Sequence, residues 1–214
     1  GVQTCALPIL SKKIAAGSDK ILLEVTCGSG AFMEDEIRAR VLAQTMVNIG
    51  NRAGKETIAV LTNMNQPLGR YCGNALEVYE AIETLKGNGE PDVVKVCEIL
   101  GAYMLKLAGV NESITSNIKL IDSKISSGEG LNKFKELIER QWGDSRVINQ
   151  PEMLKQAKYK IPLSSLEEGY INEIEAKNIG QAVGNLGGGR YQKEDAIDYL
   201  NDNPLEDYGL EELI

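Results

Sequence analysis

Two short apolar runs separated by a helical pattern constrain the fold more than any other feature of the sequence. Ile21-Leu22-Leu23-Glu24-Val25 is nearly continuous in apolar residues, as a buried parallel strand is. Thr26-Cys27-Gly28-Ser29-Gly30 then supplies a loop with two glycines, and Glu34, Asp35 and Glu36 put negative charge where the first turn of a helix favours it. The helix is expected to run to about Ile49, with Ile37, Val41, Leu42, Met46 and Ile49 on one face and Gly50 as its stop. Thr57-Ile58-Ala59-Val60-Leu61, reached through Gly54-Lys55, is a second β-rich run. Strand, helix, strand is a βαβ unit, and the expected class is α/β.

Farther along, Asn74 stands as a helix N-cap with Glu77 in capping-box spacing, and that helix runs through Val78, Ala81, Ile82 and Leu85 to Gly87. Pro91 to Gly109 reads as a buried helix, and Ser116–Lys124 and Leu131–Arg140 as two more. After about Asp144 the pattern changes. Tyr159-Lys160-Ile161-Pro162-Leu163 and Gly169-Tyr170-Ile171-Asn172-Glu173-Ile174 alternate in period two, as half-buried strands do. The expected organisation is residues 1–17 as a helical segment, 18–145 as an α/β core and 146–214 as a β-rich subdomain. Within the last, a short helix from Ala176 to Leu186 leads into Gly187-Gly188-Gly189-Arg190, and an acidic stretch, Asn201 to Ile214, closes the chain.

Composition removes several functions. No histidine is present among the 214 residues, so a Ser-His-Asp triad, a Cys-His pair or a His-ligated zinc cannot be built within this chain. With 23 Lys plus Arg against 31 Asp plus Glu, the net charge of −8 argues against a nucleic-acid or anionic membrane partner, both of which select basic faces. Cys5, Cys27, Cys72 and Cys97 form no C-x-x-C pair, which favours reduced thiols in a cytoplasmic setting. Nothing reads as a signal peptide or a membrane span.

Four features could carry chemistry, each with a plainer alternative. Gly28-Ser29-Gly30 sits between strand and helix, where free amides and the helix dipole attract phosphate. However, the third glycine of a dinucleotide fingerprint would fall at Met33 and the P-loop Lys-Ser/Thr pair is lacking, so spacing alone favours a structural turn. Ser11-Lys12-Lys13, before Ile14-Ala15-Ala16-Gly17, reads as a helix end whose cations lie near the negative pole, or simply as solvated lysines. Gly187-Gly188-Gly189-Arg190 could hold an anion or end a helix. Glu80 lies near the apolar side of its helix and close in sequence to the Pro67–Gly73 loop; it could ligate a hard cation, though pattern alone favours an exposed acid.

Four separated blocks, taken in order, resemble the pyrimidine-nucleoside phosphorylases and thymidine phosphorylases. They are Ser11-Lys12-Lys13-Ile14-Ala15-Ala16-Gly17, Gly28-Ser29-Gly30-Ala31-Phe32-Met33, Asn63-Met64-Asn65-Gln66-Pro67-Leu68-Gly69 and Gly73-Asn74-Ala75-Leu76-Glu77-Val78. The resemblance extends from about Leu10 to Tyr199, through Gln141-Trp142-Gly143-Asp144 and Gly187-Gly188-Gly189-Arg190 with Lys193-Glu194-Asp195. It implies a βα core of the phosphorylase large domain, a β-rich C-terminal subdomain and a helical remnant of the small domain. The implied reaction is attack of phosphate on the sugar C1′ of a pyrimidine nucleoside, releasing the base and a pentose 1-phosphate. It implies no organic cofactor, phosphate as co-substrate, a K+ ion and a homodimer formed through the small helical domain.

Residue by residue, the resemblance makes Lys12 the cation that stabilises the leaving pyrimidine and places Phe32 against its ring. Leu68 and Tyr71 would give main-chain carbonyls, and Glu80 a carboxylate, to the K+ ion, which shifts the reading of Glu80 from exposed acid to ligand. There are departures from the pattern. Pro8 replaces a base-contacting serine, Thr26 stands where many members have lysine, and Asn63 where many have aspartate. Gly1–Ile9 as a whole does not resemble the family and reads as a foreign end. The family's base-contacting arginine and its glycine-rich phosphate loop have no counterpart here, and beyond Tyr199 the likeness is lost.

The chain is therefore expected to correspond to the central and early C-terminal part of a longer enzyme, and to have little activity alone, because positioning of reactants supplies about 7–11 kcal/mol of such barriers. Within the same superfamily an AMP-type nucleotide phosphorylase or an anthranilate-type phosphoribosyltransferase is the alternative. From another class, a non-catalytic α/β binding module fits the same scaffold. The pattern does not choose between thymidine and uridine.

Overall fold

The computed structural model describes residues 2–154, 161–165 and 167–189. They form two compact units, one drawn from residues 2–66 with 95–123 and the other from residues 67–94 with the described residues of 124–189. The architecture is helix-rich with a small parallel sheet. Among the described residues no helix is long and apolar enough to cross a membrane.

In the first unit, α1 (Val2–Ala15) is followed by β1 (Lys20–Cys27), α2 (Glu36–Arg52) and β2 (Glu56–Asn63). β1 and β2 pair in parallel, in register from Lys20 opposite Glu56 to Cys27 opposite Asn63, so the βαβ unit is as the sequence predicts. Ile21, Leu23 and Val25 are buried along one face of β1 and meet Ala39, Leu42, Ala43 and Met46 of α2, while Ala6 and Leu10 of α1, one turn apart, complete this core. Asp35 caps α2 by accepting the Arg38 N–H at 2.8 Å, where the helix has unpaired donors.

Two expectations for α2 need correction. Its inward face is Ala39, Leu42, Ala43, Met46 and Gly50, whereas Ile37 and Val41 are exposed, because small residues let the helix lie close on the sheet. Gly50 does not stop the helix, which continues to Arg52. A Cβ there would land on the Thr57 hydroxyl and come within 2.9 Å of Thr57 Cβ, so Gly50 is a point of close approach between α2 and β2.

The first unit also contains most of α4 (Pro91–Leu107) and α5 (Ile114–Ser126), and the second contains α3 (Asn74–Glu83), α6 (Glu129–Arg140) and α7 (Ala176–Val183). α4 forms over the predicted span, but only Ala102 and Leu107 are buried and Met104 is exposed; it is half-buried rather than a core helix. The N-cap of α3 is Gly73, one residue before the expected Asn74, and Glu77 Oε1 accepts the Gly73 N–H at 3.1 Å in place of a box closed on Asn74. α3 ends at Glu83, before the expected Gly87, which lies with φ of +90° inside the wide turn Thr84–Asn88 that follows.

Of the two strands expected after residue 158, Gly169–Ile174 does not form, and Tyr159–Leu163 lies partly outside the described residues. Residues 161–165 and 167–175 run without regular structure, and Ile161, Leu163, Tyr170 and Ile171 are exposed. Alternation supplies an apolar face, but a strand also needs a neighbour for its N–H and C=O groups, and among the described residues none runs beside these segments. Tyr159, Lys160, Arg190, Lys193–Asp195 and the acidic stretch 201–214 lie outside the described residues.

Candidate active site

The strand-to-helix loop decides between its two sequence readings. Gly28 N–H donates to Met33 O (3.1 Å), Ser29 N–H to Asn65 Oδ1 (3.1 Å), Gly30 N–H to Met64 O (2.9 Å) and Ala31 N–H to Gly28 O (3.0 Å). All four amides that an anion would need already have protein acceptors, so this loop is a locked turn and not a phosphate cradle. Gly28 is required within it: φ is +131°, and a Cβ would lie 2.6 Å from Asn65 N and 2.7 Å from Met64 C.

Beyond the turn, the N–H of Gly28 and a bridge between Cys27 and Met33 tie the chain back to the end of β1. Phe32 is held outward here, 79% exposed. It stands on a cleft of about 370 Å3 whose walls are Pro8 and Ile9 of α1, Leu23 and Val25 of β1, and Met33. An apolar, one-sided cleft with an exposed aromatic ring suits a flat, weakly polar ligand. Lys12 lies in the last turn of α1 with Lys13, exposed and outside the lining of this cleft.

In the second unit the Pro67–Gly73 loop folds back on α3 and on Asp92 in the first turn of α4. Glu80 of α3 is 8% exposed, and its Oε1 accepts the Arg70 N–H at 2.9 Å. Gly69, at φ +73°, leaves room for that carboxylate: a Cβ there would strike both of its oxygens. Asp92 Oδ2 accepts the Gly69 N–H at 2.9 Å, and the Arg70 guanidinium pairs with Glu90 at 3.0 Å. Tyr71 stacks edge-on against Tyr79, with ring centroids 5.6 Å apart. Leu68 is exposed on the same loop.

Electrostatically this corner is short of positive charge. Burial pushes the Glu80 carboxyl up; the Arg70 amide pulls it down, and Asp92, Glu90 and Glu77 push it further up. The Cys72 thiol is raised as well, first by burial and then by Glu77 and Glu80, so it is not an activated nucleophile. Among the described residues no three His, Cys, Asp or Glu side chains gather as a metal-ligand set. A cation here would depend on one buried carboxylate and main-chain carbonyls, a donor set that fits a hard ion. The sequence pattern of exposed acids missed the burial of Glu80. It also missed Asn65, whose role depends on a partner 36 residues away.

The family described as the glycosyl transferase family, a/b domain, matches residues 1–131. The chain belongs to this family. A second family, described as the pyrimidine nucleoside phosphorylase C-terminal domain, matches residues 170–200 of this glycosyl transferase-family chain. Proteins named pyrimidine-nucleoside phosphorylase from Staphylococcus aureus strains USA300 and NCTC 8325 are each 48% identical to it over 197 residues, covering 92% of this chain and 46% of the relative. The counterpart from strain bovine RF122 has the same identity and coverage. The glycosyl transferase-family chain thus spans about half the length of the curated relatives it matches.

Proposed function

We propose that this chain serves pyrimidine nucleoside phosphorolysis, in which phosphate attacks the sugar C1′, the C1′–N bond breaks and the base leaves with the bonding pair. The observation that carries the reading is the 48% identity over 92% of the chain to proteins named pyrimidine-nucleoside phosphorylase. The apolar cleft beneath Phe32 supports it, since a pyrimidine ring buries two apolar faces and keeps its polar edge at the rim. Lys12 is assigned to that edge, where a fixed ammonium stabilises the negative charge that develops on the leaving base. Phe32 is assigned to the ring face.

The same proposal assigns Leu68, Tyr71 and Glu80 to a K+ ion; the buried, acid-ringed carboxylate of Glu80 supports this assignment. Such an ion would supply fixed positive charge that offsets Glu80, with the Leu68 and Tyr71 main-chain carbonyls as its other donors. The chain's own residues prepare the place: Gly69 gives the carboxylate room, and the Arg70 N–H orients it. Cytoplasmic residence, a homodimer, and no nucleic-acid or membrane partner belong to the same proposal, as does phosphate as co-substrate with no organic cofactor.

Calorimetric titration of the 214-residue chain with uracil tests the site assignment. Binding that weakens in both Lys12→Ala and Phe32→Ala is the expected result. Binding that survives both substitutions unchanged would refute the assignment.

A further inference from the structure

Ser29 differs from its neighbours in the loop in one respect. The amides of Gly28, Gly30 and Ala31 end on main-chain carbonyls, whereas the Ser29 N–H ends on a side chain, Asn65 Oδ1, at 3.1 Å. The Ser29 hydroxyl returns the contact by donating to the Asn65 main-chain oxygen at 3.0 Å. Asn65 is itself fixed, since its N–H donates to Asn63 Oδ1 at 2.9 Å and the preceding Met64 N–H donates to Cys27 O at 2.7 Å. Against this assembly lies Gly28, buried, with no room for a Cβ.

Phe32 follows three residues after Ser29. As an exposed ring it gains little from packing, so its direction is set by the backbone that carries it. We propose that Asn65 is a positioning residue: by holding the Ser29 amide it sets the pose of Phe32 at the cleft. The inference rests on the reading of Phe32 as the residue that faces the pyrimidine. It also gives the Asn63-Met64-Asn65 segment a role that the locked turn alone does not need, because three of the loop amides would stay bonded without the Asn65 side chain.

The test uses the full 214-residue chain labelled uniformly with nitrogen-15, so that the Ser29 amide and both phenylalanine amides are read. Phe32 and Phe134 are its two phenylalanines, so Phe134 is an internal control. In Asn65→Ala the Ser29 amide is expected to exchange about five to thirty times faster, the change that loss of one such bond allows. The backbone order parameter of Phe32 should fall from about 0.85 to below about 0.6 while that of Phe134 holds. Asn65→Asp keeps an oxygen acceptor and should restore both. An ordered Phe32 in Asn65→Ala, or no restoration by Asp, overturns the proposal.

Should Asn65→Ala fail to fold, exchange in the unsubstituted protein decides: a protected Ser29 amide supports the clamp, and an amide exchanging at a free-loop rate overturns it. Uracil titration separates the two layers. No uracil binding by a chain whose Phe32 order still depends on Asn65 would sink the substrate reading and leave the positioning role standing.

Discussion

Gly50→Ala is the substitution on which local and tertiary reasoning disagree most clearly. Helix propensity alone predicts a gain of about 0.5–1 kcal/mol, because Gly50 lies inside α2 and alanine costs less chain entropy there. The surroundings predict the opposite. The added methyl would land on the Thr57 hydroxyl and lie 2.9 Å from Thr57 Cβ and 3.2 Å from Thr57 Cγ2, and Thr57 is buried with little room to move. Overpacking of this kind costs about 1–3 kcal/mol. Displacing the hydroxyl also loses its 2.7 Å bond to the Lys55 carbonyl, worth about 1 kcal/mol. The net expectation is destabilisation by about 1–3 kcal/mol, read as a lower urea midpoint by circular dichroism with an unchanged slope. Thr57→Ala in the same chain removes the closest contact and should recover part of the loss. A Gly50→Ala protein at least as stable as the parent, or strict additivity of the two substitutions, would refute the close-packing argument.

Three further outcomes follow from other parts of the molecule. Trp142 is the one non-glycine among the described residues with a left-handed backbone, φ +59°, at the end of α6, and it is 95% exposed; Trp142→Gly should stabilise by roughly 0.5–1 kcal/mol in urea denaturation, and a loss would count against the strain. Asn117 is 0% exposed and its Nδ2 donates to Ala102 O and Asn111 O at 3.0 and 2.9 Å, so Asn117→Ala should cost about 2–4 kcal/mol. Asn117→Asp should be worse at pH 7 than at pH 4, where protonation restores one donor, and a flat pH profile would contradict this. Glu80 has a folded pKa above its unfolded value, so its ionised form is disfavoured: the penalty is absent below the ordinary carboxylate range and full above the raised pKa. Glu80→Gln should therefore match or exceed the parent's stability at neutral pH in the absence of K+. Added K+ should raise the melting temperature of the parent and not of the variant, and an equal rise in both would remove Glu80 from the ion site.

What could be read from the sequence was local. The apolar runs of β1 and β2 and the acidic start of α2 each depend on neighbours within a few residues, and all are where the pattern predicts them. What could not be read depends on distant partners. Gly50 has the signature of a helix stop until Thr57 is seen against it, and Gly28-Ser29-Gly30 could bind an anion until Asn65 and Met64 are found holding its amides. Glu80 reads as an exposed acid because no local rule foretells that a loop ten residues earlier will cover it. Leu68, Tyr71 and Phe32 entered through the resemblance, as did the role of Lys12, since no spacing among them is itself a motif.

Turnover decides whether these residues serve pyrimidine nucleoside phosphorolysis. In a chimera, residues 10–199 of this chain replace the matching segment of the Staphylococcus aureus USA300 relative, and base release is followed by absorbance with uridine or AMP, with and without phosphate. Uracil release from uridine that requires phosphate and collapses in Lys12→Ala is the expected result. A folded chimera that releases adenine from AMP instead, or one whose uridine turnover is indifferent to Lys12→Ala, would contradict it.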